Sequence, residues 1–197
     1  MKLRILFATV LLALLAAGPV AAQAVTTPLA GTEVFDPLNL AQNPAGGVGA
    51  ILDMGELTCP GALPTGNPMQ PCPPGSRIKA RGTTLKSRVA SPDALLAGWF
   101  TITGNSNLDA DATGVAWGTF RLELDADGGV FEGSWTGHRT QNENAGWVSL
   151  VSGVGLGVGG SVEGWHLRFS ETIVSFAPVS VMYVGQINAE VLAPPAK

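Results

Sequence analysis

The sequence predicts an all-β protein whose strands form a single antiparallel β-barrel of about eight strands. Between Gly98 and Phe169, short segments alternate apolar and polar residues, as half-buried strands do. Glycines are dense from residue 153 to residue 164, where they would destabilise a helix but suit the bends of a curved sheet. Tryptophans recur at intervals of eighteen residues in two series, Trp99, Trp117 and Trp135, then Trp147 and Trp165.

Residues 1–24 have the pattern of a signal peptide. Two basic residues precede an apolar run at 5–17, and a Gly-Pro pair and small residues follow, suited to cleavage after Ala22 or Ala24. The run is too short to cross a bilayer, and no second apolar stretch follows it. We therefore expect a secreted or periplasmic protein without a transmembrane anchor.

Composition and charge exclude several functional classes. The chain has 11 basic and 15 acidic residues, and removal of the two N-terminal cations leaves a formal net charge of −6. Nucleic-acid binding needs clustered cations, so we expect no nucleic-acid partner. Charged residues make up 13% of the chain, and the 26 glycines and 14 prolines suit a domain rich in turns rather than a disordered chain.

The stretch from residue 25 to residue 75 reads as an irregular lead-in rich in proline and glycine, with one short strand at 51–57. Cys59 and Cys72 are the only cysteines, and in an exported chain we expect them to form a disulfide. In the chain-entropy view, a bond that closes such a loop stabilises the fold by roughly 3 kcal/mol. The alternative, a redox-active pair, lacks the C-x-x-C spacing.

The barrel domain is expected at 76–192, followed by a tail at 193–197. Its first strand changes phase, because cations occupy odd positions before Gly82 and even positions after it. A β-bulge at Gly82 would bring all of them to the outer face. These cations are Arg77, Lys79, Arg81, Lys86 and Arg88. They either solvate an outer strand or form a patch for an anionic partner.

Later strands are predicted from alternation over 98–103, 114–125 and the segments that follow, with a tight hairpin turn at 127–129. In each strand the apolar residues share one face. They are Phe120, Leu122 and Leu124; Phe131 and Trp135; Val148, Leu150, Val154 and Leu156; Trp165, Leu167 and Phe169; and Val179, Val181, Tyr183, Ile187 and Val191. Such a sheet removes its edges by closing, and an open sandwich is the alternative.

The segment 155–167, with the sequence GLGVGGSVEGWHL, resembles the glycine-rich strand pair of the allene oxide cyclase and dirigent group of small β-barrels. The segments 118–120 and 133–137 are similar to glycine-flanked strands of bacterial secreted proteins with this barrel. The resemblance covers about residues 77–192 and implies an allene oxide cyclase-like or calycin-like barrel. In that group, activity depends on a few polar residues inside an apolar cavity. Those positions do not match here, so the resemblance carries over a backbone shape and no activity.

Two side chains are candidates for chemistry inside the barrel. Glu163 is in phase with Trp165 and Phe169, so it points either into the interior, where its pKa would be raised, or to the rim in water. Tyr183, the only tyrosine, falls on an inner face and either orients a ligand or packs with a satisfied hydroxyl. Trp135, Trp165, Phe169 and Tyr183 are the expected ligand-binding residues.

The other tryptophans, Trp99, Trp117 and Trp147, fall out of phase with their apolar neighbours. Exposed tryptophans on a sheet face can stack on a sugar ring or a partner protein. Alternatively, a bulge at Gly118 turns Trp117 inward.

Metal and cofactor binding are not expected. His138 and His166 fall on outer faces, and with Glu132 they lack the dense spacing of a metal site. The acidic turn residues invite a calcium site but do not follow the EF-hand pattern, so solvated turns are expected instead. They are Asp109, Asp111, Asp125 and Asp127. No histidine falls on an interior face, so a Ser-His-Asp arrangement lacks support.

The sequence therefore favours a secreted, non-catalytic barrel that binds a small apolar ligand or a partner. One alternative is an isomerase or cyclase that uses Glu163 and Tyr183 in a dry cavity. Another is a structural extracellular or envelope protein with a solid interior. A homo-oligomer remains open.

Overall fold

A computed structural model describes residues 24–67, 72–142, 146–175 and 182–194 of the chain. Within these ranges the chain forms ten strands and one short 3₁₀ turn at Gly160–Val162, as predicted for an all-β protein. The strands are β1 (Thr26–Phe35), β2 (Ala50–Asp53), β3 (Glu56–Thr58), β4 (Ile78–Ala90), β5 (Gly98–Leu108), β6 (Gly114–Leu124), β7 (Val130–Asn142), β8 (Gly146–Gly159), β9 (His166–Ser175) and β10 (Tyr183–Leu192).

Eight of these strands form a closed ring in which every pairing is antiparallel. Strands β4 to β10 pair with their sequence neighbours in order, β10 pairs with β1, and β1 pairs with β4 to complete the circuit. β2 and β3 lie outside the ring and pair with β4. All ten strands belong to one hydrogen-bonded sheet.

β1 lies in the stretch that the sequence predicts to be an irregular lead-in, and that prediction is wrong for residues 26–35. β1 pairs with β10 along its whole length but with β4 only from Thr32 to Val34. Pro28 therefore lies in the half of β1 that has a single neighbour, where a residue without an N–H donor is tolerated. The ring of strands therefore includes residues 26–35 in addition to strands of the domain expected at 76–192.

The predicted bulge in β4 is confirmed. The register between β4 and β5 shifts between Ala80 and Thr83, and Gly82 between them has a φ of +72°. The strand expected at 51–57 is divided into β2 and β3 by Gly55. A Cβ on Gly55 would lie 2.1 Å from the carbonyl oxygen of Arg81, so only glycine allows this close approach.

The apolar residues Leu150, Val154 and Leu156 of β8 do not lie on the inner face, where the sequence predicts them. Leu150, Val154 and Leu156 point outward and are exposed, whereas glycines occupy the inner face. A Cβ on Gly153 would lie 2.3 Å from the ring of Phe169, and one on Gly155 would lie 2.7 Å from the ring of Phe120. The aromatic rings of β6 and β9 thus fill the space inside Gly153 and Gly155, and Leu150, Val154 and Leu156 of β8 face outward.

The interior of the ring is filled at one end and hollow at the other. Phe100, Phe120 and Phe169 form a cluster with ring centroids 5.3 to 5.8 Å apart. The rest of the filled end consists of buried aliphatic and aromatic residues, among them Leu29, Leu122, Leu124, Phe131, Val162, Leu167, Ile187 and Val191. The three-ring cluster therefore separates a solid core from the open end of the ring.

The predicted disulfide is confirmed, with the Cα atoms of Cys59 and Cys72 5.6 Å apart. Several other predictions fall on residues outside the described ranges: 1–23 of the signal peptide, 195–197 of the tail, and Val179 and Val181 of the last inner face. Within the described part of the chain, no helix has the length and apolar character needed to cross a membrane.

Candidate functional site

A cavity of about 350 Å³ occupies the hollow end of the ring. Its floor includes Phe100 and Phe169 of the aromatic cluster. Ile51 and Met54 also line it while being 37% and 47% exposed, so the cavity opens to solvent beside β2 and β3. The remaining walls are mostly apolar and include Phe35, Leu57, Ile78, Leu85, Ile102, Leu108, Ala116, Trp135, Val151 and Ile173. The volume lies within the range of cavities that hold small molecules.

Two buried carboxyl groups approach each other in the wall of this cavity. Glu33 of β1 and Glu171 of β9 lie on either side of β10, and each has one buried carboxyl oxygen without a hydrogen-bond partner among the described residues, Glu33 Oε2 and Glu171 Oε1. Gly185 of β10 pairs with Glu33 in the ladder, and a Cβ there would lie 1.8 Å from Glu171 Oε1. Glycine at 185 thus leaves the room that the Glu171 carboxyl occupies. Glu171 lines the cavity.

Tyr183 of β10 contacts Glu33 and Phe35, which both lie on the adjacent strand β1. Its hydroxyl donates a hydrogen bond of 2.5 Å to Glu33 Oε1, and its ring stacks on Phe35 with centroids 5.2 Å apart. Ser87 lies close to the phenol and donates to the carbonyl of Phe100. The phenol, the carboxyl groups and the serine are all buried, so they form one polar cluster in an otherwise apolar interior.

Burial favours the uncharged forms of Glu171 and Tyr183. Desolvation raises the pKa of Glu171 well above its ordinary value, and the charge of Glu33 and the hydrogen bond to it raise that pKa further. Desolvation and Glu33 likewise raise the pKa of Tyr183 well above its ordinary value. Neutral Glu171 and neutral Tyr183 can both donate hydrogen bonds, and Tyr183 donates to Glu33.

Arg139 is a buried cation in the same lining. Its guanidinium lies 4.9 Å from the ring centroid of Trp147 and donates over 3.4 Å to Ser175 Oγ. Burial lowers the pKa of Arg139 to about 10. Trp147 donates through Nε1 to the carbonyl of Asp111 over 3.1 Å. Trp147 is thus in phase with the cavity-lining Ser149 and Val151 of β8, and the phase difference between Trp147 and its apolar neighbours arises because Leu150, Val154 and Leu156 face outward.

Three of the expected ligand-binding residues, Trp135, Phe169 and Tyr183, line the cavity. Trp165 does not, because it packs against the solid core at the filled end. Glu163 is exposed just after the 3₁₀ turn and does not line the cavity either. The structure therefore separates Glu163 from Tyr183, the two side chains expected to act together.

The sequence analysis missed Glu33, Glu171 and Arg139. Glu171 is in phase with Leu167 and Phe169, and Arg139 is in phase with Phe131 and Trp135, so alternation alone carried a signal for both. Glu33 carried none, because its strand was not predicted.

Trp99 and Trp117 lie on the outer face of the ring, as their phase predicts. Neither ladder of β6 shifts register at Gly118, so the bulge that would turn Trp117 inward is not present. Cations cover both rings: the Arg81 guanidinium lies 5.2 Å from the Trp117 centroid, and Lys86 Nζ lies 5.2 Å from the Trp99 centroid. These pairs tie the cations of β4 to the outer sheet face.

Two of the acidic turn residues, Asp111 and Asp125, bind nearby groups of the protein. Asp111 accepts hydrogen bonds from the backbone and hydroxyl of Thr113, which lower its pKa. Asp125 binds the guanidinium of Arg88, which lowers the pKa of this carboxyl. Across the described ranges, no three histidine, cysteine, aspartate or glutamate side chains are grouped to hold a metal ion.

Comparison of the chain with protein-family models, with curated proteins and with solved structures gives no match.

Proposed function

We propose that this protein is a secreted β-barrel that holds a small, mostly apolar ligand in its interior cavity. The observation that carries the proposal is the cavity of about 350 Å³, which has an apolar floor and walls and one buried polar cluster. Ligand sites commonly combine an apolar lining with a few fixed polar groups that orient the molecule. A protein with a solid interior would have no use for such a space.

The polar cluster suggests how the ligand is oriented. Glu171 and Tyr183 line one wall, opposite the apolar side chains of β5. Phe169 and Trp135 supply aromatic surface beside them. A ligand with one hydrogen-bonding group would direct this group towards Glu171 and leave its apolar part on the aromatic floor, because an unpaired buried polar group costs about 1–3 kcal/mol.

Secretion and barrel architecture are part of the same proposal. A disulfide in a chain with an N-terminal signal-like segment is typical of exported proteins. The closed ring of eight antiparallel strands supports the allene oxide cyclase-like or calycin-like barrel that the glycine-rich segment 155–167 suggests.

A fluorescence titration tests ligand binding. The probe is N-phenyl-1-naphthylamine, a neutral aromatic dye whose emission rises in apolar surroundings. We expect saturable enhancement with one site per chain, accompanied by quenching of tryptophan emission, since Trp135 lines the cavity.

A pair of neighbouring substitutions provides the control. Ala116→Phe fills the cavity, because Ala116 lines it, whereas Val115→Phe alters the adjacent, exposed position on the outer face of β6. We expect the first substitution to abolish dye binding and the second to leave it intact. Equal binding by both variants would contradict an interior site.

Acid catalysis inside the cavity is a second candidate, favoured by one observation. Glu171 is a buried carboxyl with a raised pKa in the lining of an apolar cavity, which is the state of a general acid. In this variant of the isomerase hypothesis, Glu171 replaces the exposed Glu163. The test is to incubate a molecule recovered from the native protein with fresh protein. Conversion that is lost in Glu171→Gln supports catalysis, whereas unchanged recovery supports binding alone.

A further inference from the structure

The outer face of β8 carries a stripe of exposed aliphatic side chains. Its members are Leu150, Val154, Leu156 and Val158, and 45% to 62% of each side chain is exposed. Leu150, Val154 and Leu156 lie at even positions and project from the same side of one strand, together with the exposed Ser152. Val158 follows where the register of the β7–β8 ladder shifts. From Leu150 to Val158 the stripe is about 26 Å long, at the usual rise per residue in a strand.

The surroundings of this aliphatic stripe are polar. On β7, Ser134 pairs with Val154 and His138 with Leu150, and on β9, Thr172 pairs with Leu150. Ser170 of β9 pairs with Ser152, which lies between Leu150 and Val154. Single exposed aliphatic residues are ordinary, but a row of them that only Ser152 interrupts, with a polar border, is typical of a protein contact surface.

Charges lie on both sides of the aliphatic stripe at nearly the same level. Leu156 pairs with Glu132 on the β7 side and with His166 on the β9 side, and Val154 pairs with Arg168 on the β9 side. Glu132 also binds Arg121 of β6, and Arg168 pairs across the ladder with Glu190 of β10. At the level of Val154 and Leu156, the acidic group is therefore on the β7 side of the stripe and the basic groups are on the β9 side, whereas His138 lies on the β7 side at the level of Leu150.

A two-fold axis parallel to β8 exchanges these two sides without moving residues along the strand. It would place the stripe of one copy against the stripe of another and set Glu132 of each copy opposite His166, close to Arg168, of the other. Such self-complementarity is the property of an isologous interface.

We propose that the aliphatic stripe of β8 is a homodimer interface, in which two copies of this chain pack face to face around an axis parallel to the strand. The two cavities remain separate, because the inner face of β8 lies on the other side of the sheet. The interface is independent of the proposed ligand.

Light scattering of the purified chain tests the proposal with two valine substitutions. Val154→Lys introduces a cation on the axis, where it meets its own copy, and Val115→Lys introduces the same charge at an exposed valine of β6. We expect a dimer for the natural chain and for Val115→Lys. For Val154→Lys we expect a dissociation constant raised by at least about tenfold, because like charges repel across an interface.

Cysteine cross-linking tests the orientation of the two copies. The structure contains no free cysteine in the described residues, so a new thiol can be followed on its own. Mild oxidation should convert Val154→Cys into a covalent dimer and leave Val115→Cys monomeric. A monomeric natural chain, or a dimer that neither Val154 substitution affects, would overturn the proposal.

Discussion

Tyr183 donates its phenolic hydrogen to Glu33 over 2.5 Å, although 150 positions separate the two residues in the sequence. Glu33 lies on β1 and Tyr183 lies on β10, the adjacent strand of the closed ring. Their hydrogen bond is fully buried and lies beside the carboxyl of Glu171, whose side chain lines the cavity. The same polar cluster therefore links the strand that closes the ring to the wall of the candidate site.

Removal of the phenolic hydroxyl should destabilise the ring. Tyr183→Phe keeps the ring stacked on Phe35 but removes the hydroxyl that donates to Glu33 Oε1. We expect the free energy of unfolding to fall by about 1–3 kcal/mol, as measured by urea denaturation. Thr32→Val is the control, because it removes an exposed hydrogen bond between the same two strands and should cost less than about 0.5 kcal/mol. Equal losses for the two variants would show that burial of the cluster contributes nothing.

Stability should fall with rising pH through the titration of Glu171. The raised pKa means that the folded protein holds this proton more tightly than the unfolded chain does. The contribution is complete below the ordinary pKa of 4.5 and is lost as the pH rises through the folded value. Glu171→Gln does not titrate, so its Tm relative to the natural chain should rise with pH. The measurement is thermal unfolding between acid and alkaline pH, with the exposed Glu163→Gln as control. A constant Tm difference would refute the assignment.

The glycine under the carboxyl pair should not tolerate a side chain. Gly185→Ala places a Cβ 1.8 Å from Glu171 Oε1, and we expect a loss of about 1–3 kcal/mol from the crowding. Gly159→Ala is the matched control. Gly159 has an extended φ of −177° and open space at its Cβ, so its substitution should leave stability unchanged or raise it by up to about 1 kcal/mol.

A double-mutant cycle identifies the cause of the Gly185 effect. If the clash with the carboxyl is responsible, Gly185→Ala should cost less in a Glu171→Ala background than in the natural chain. Chemical denaturation of the four variants gives the coupling. An unchanged cost would point to the backbone instead of the carboxyl.

The disulfide should stabilise the segment that carries β3 and the loop after it. Replacement of Cys59 and Cys72 by serine frees a loop whose ends are 13 positions apart, which should lower the free energy of unfolding by roughly 3 kcal/mol. The check is the unfolding midpoint of the double variant compared with that of the natural chain, with and without reductant. A natural chain that is insensitive to reductant and no more stable than the double variant would contradict this role.

Much of the architecture could be predicted from alternation and turn residues. The hairpin turn at 127–129 and the bulge at Gly82 could be predicted because both contain a glycine with a positive φ, a conformation that few other residues adopt. The inner faces of β6, β7 and β9 could be predicted because apolar and polar residues alternate along these strands.

The exceptions have tertiary causes. β1 could not be predicted from the sequence because Pro28 argues against a strand. The proline is tolerated because its half of β1 pairs with one strand only. The faces of β8 were misassigned because the rings of Phe120 and Phe169, which belong to other strands, occupy the space inside Gly153 and Gly155. Glu33 and Glu171 form a pair only through the ring closure, which local sequence does not encode.

Native mass spectrometry of the protein purified from its own source tests the central claim, an occupied interior cavity, most directly. The natural chain and the Val115→Phe variant should each carry one small molecule per chain, released by unfolding, and Ala116→Phe should carry none. A natural chain whose native mass equals that of the protein alone would contradict the claim. An Ala116→Phe variant that retains the bound molecule in full would also contradict it.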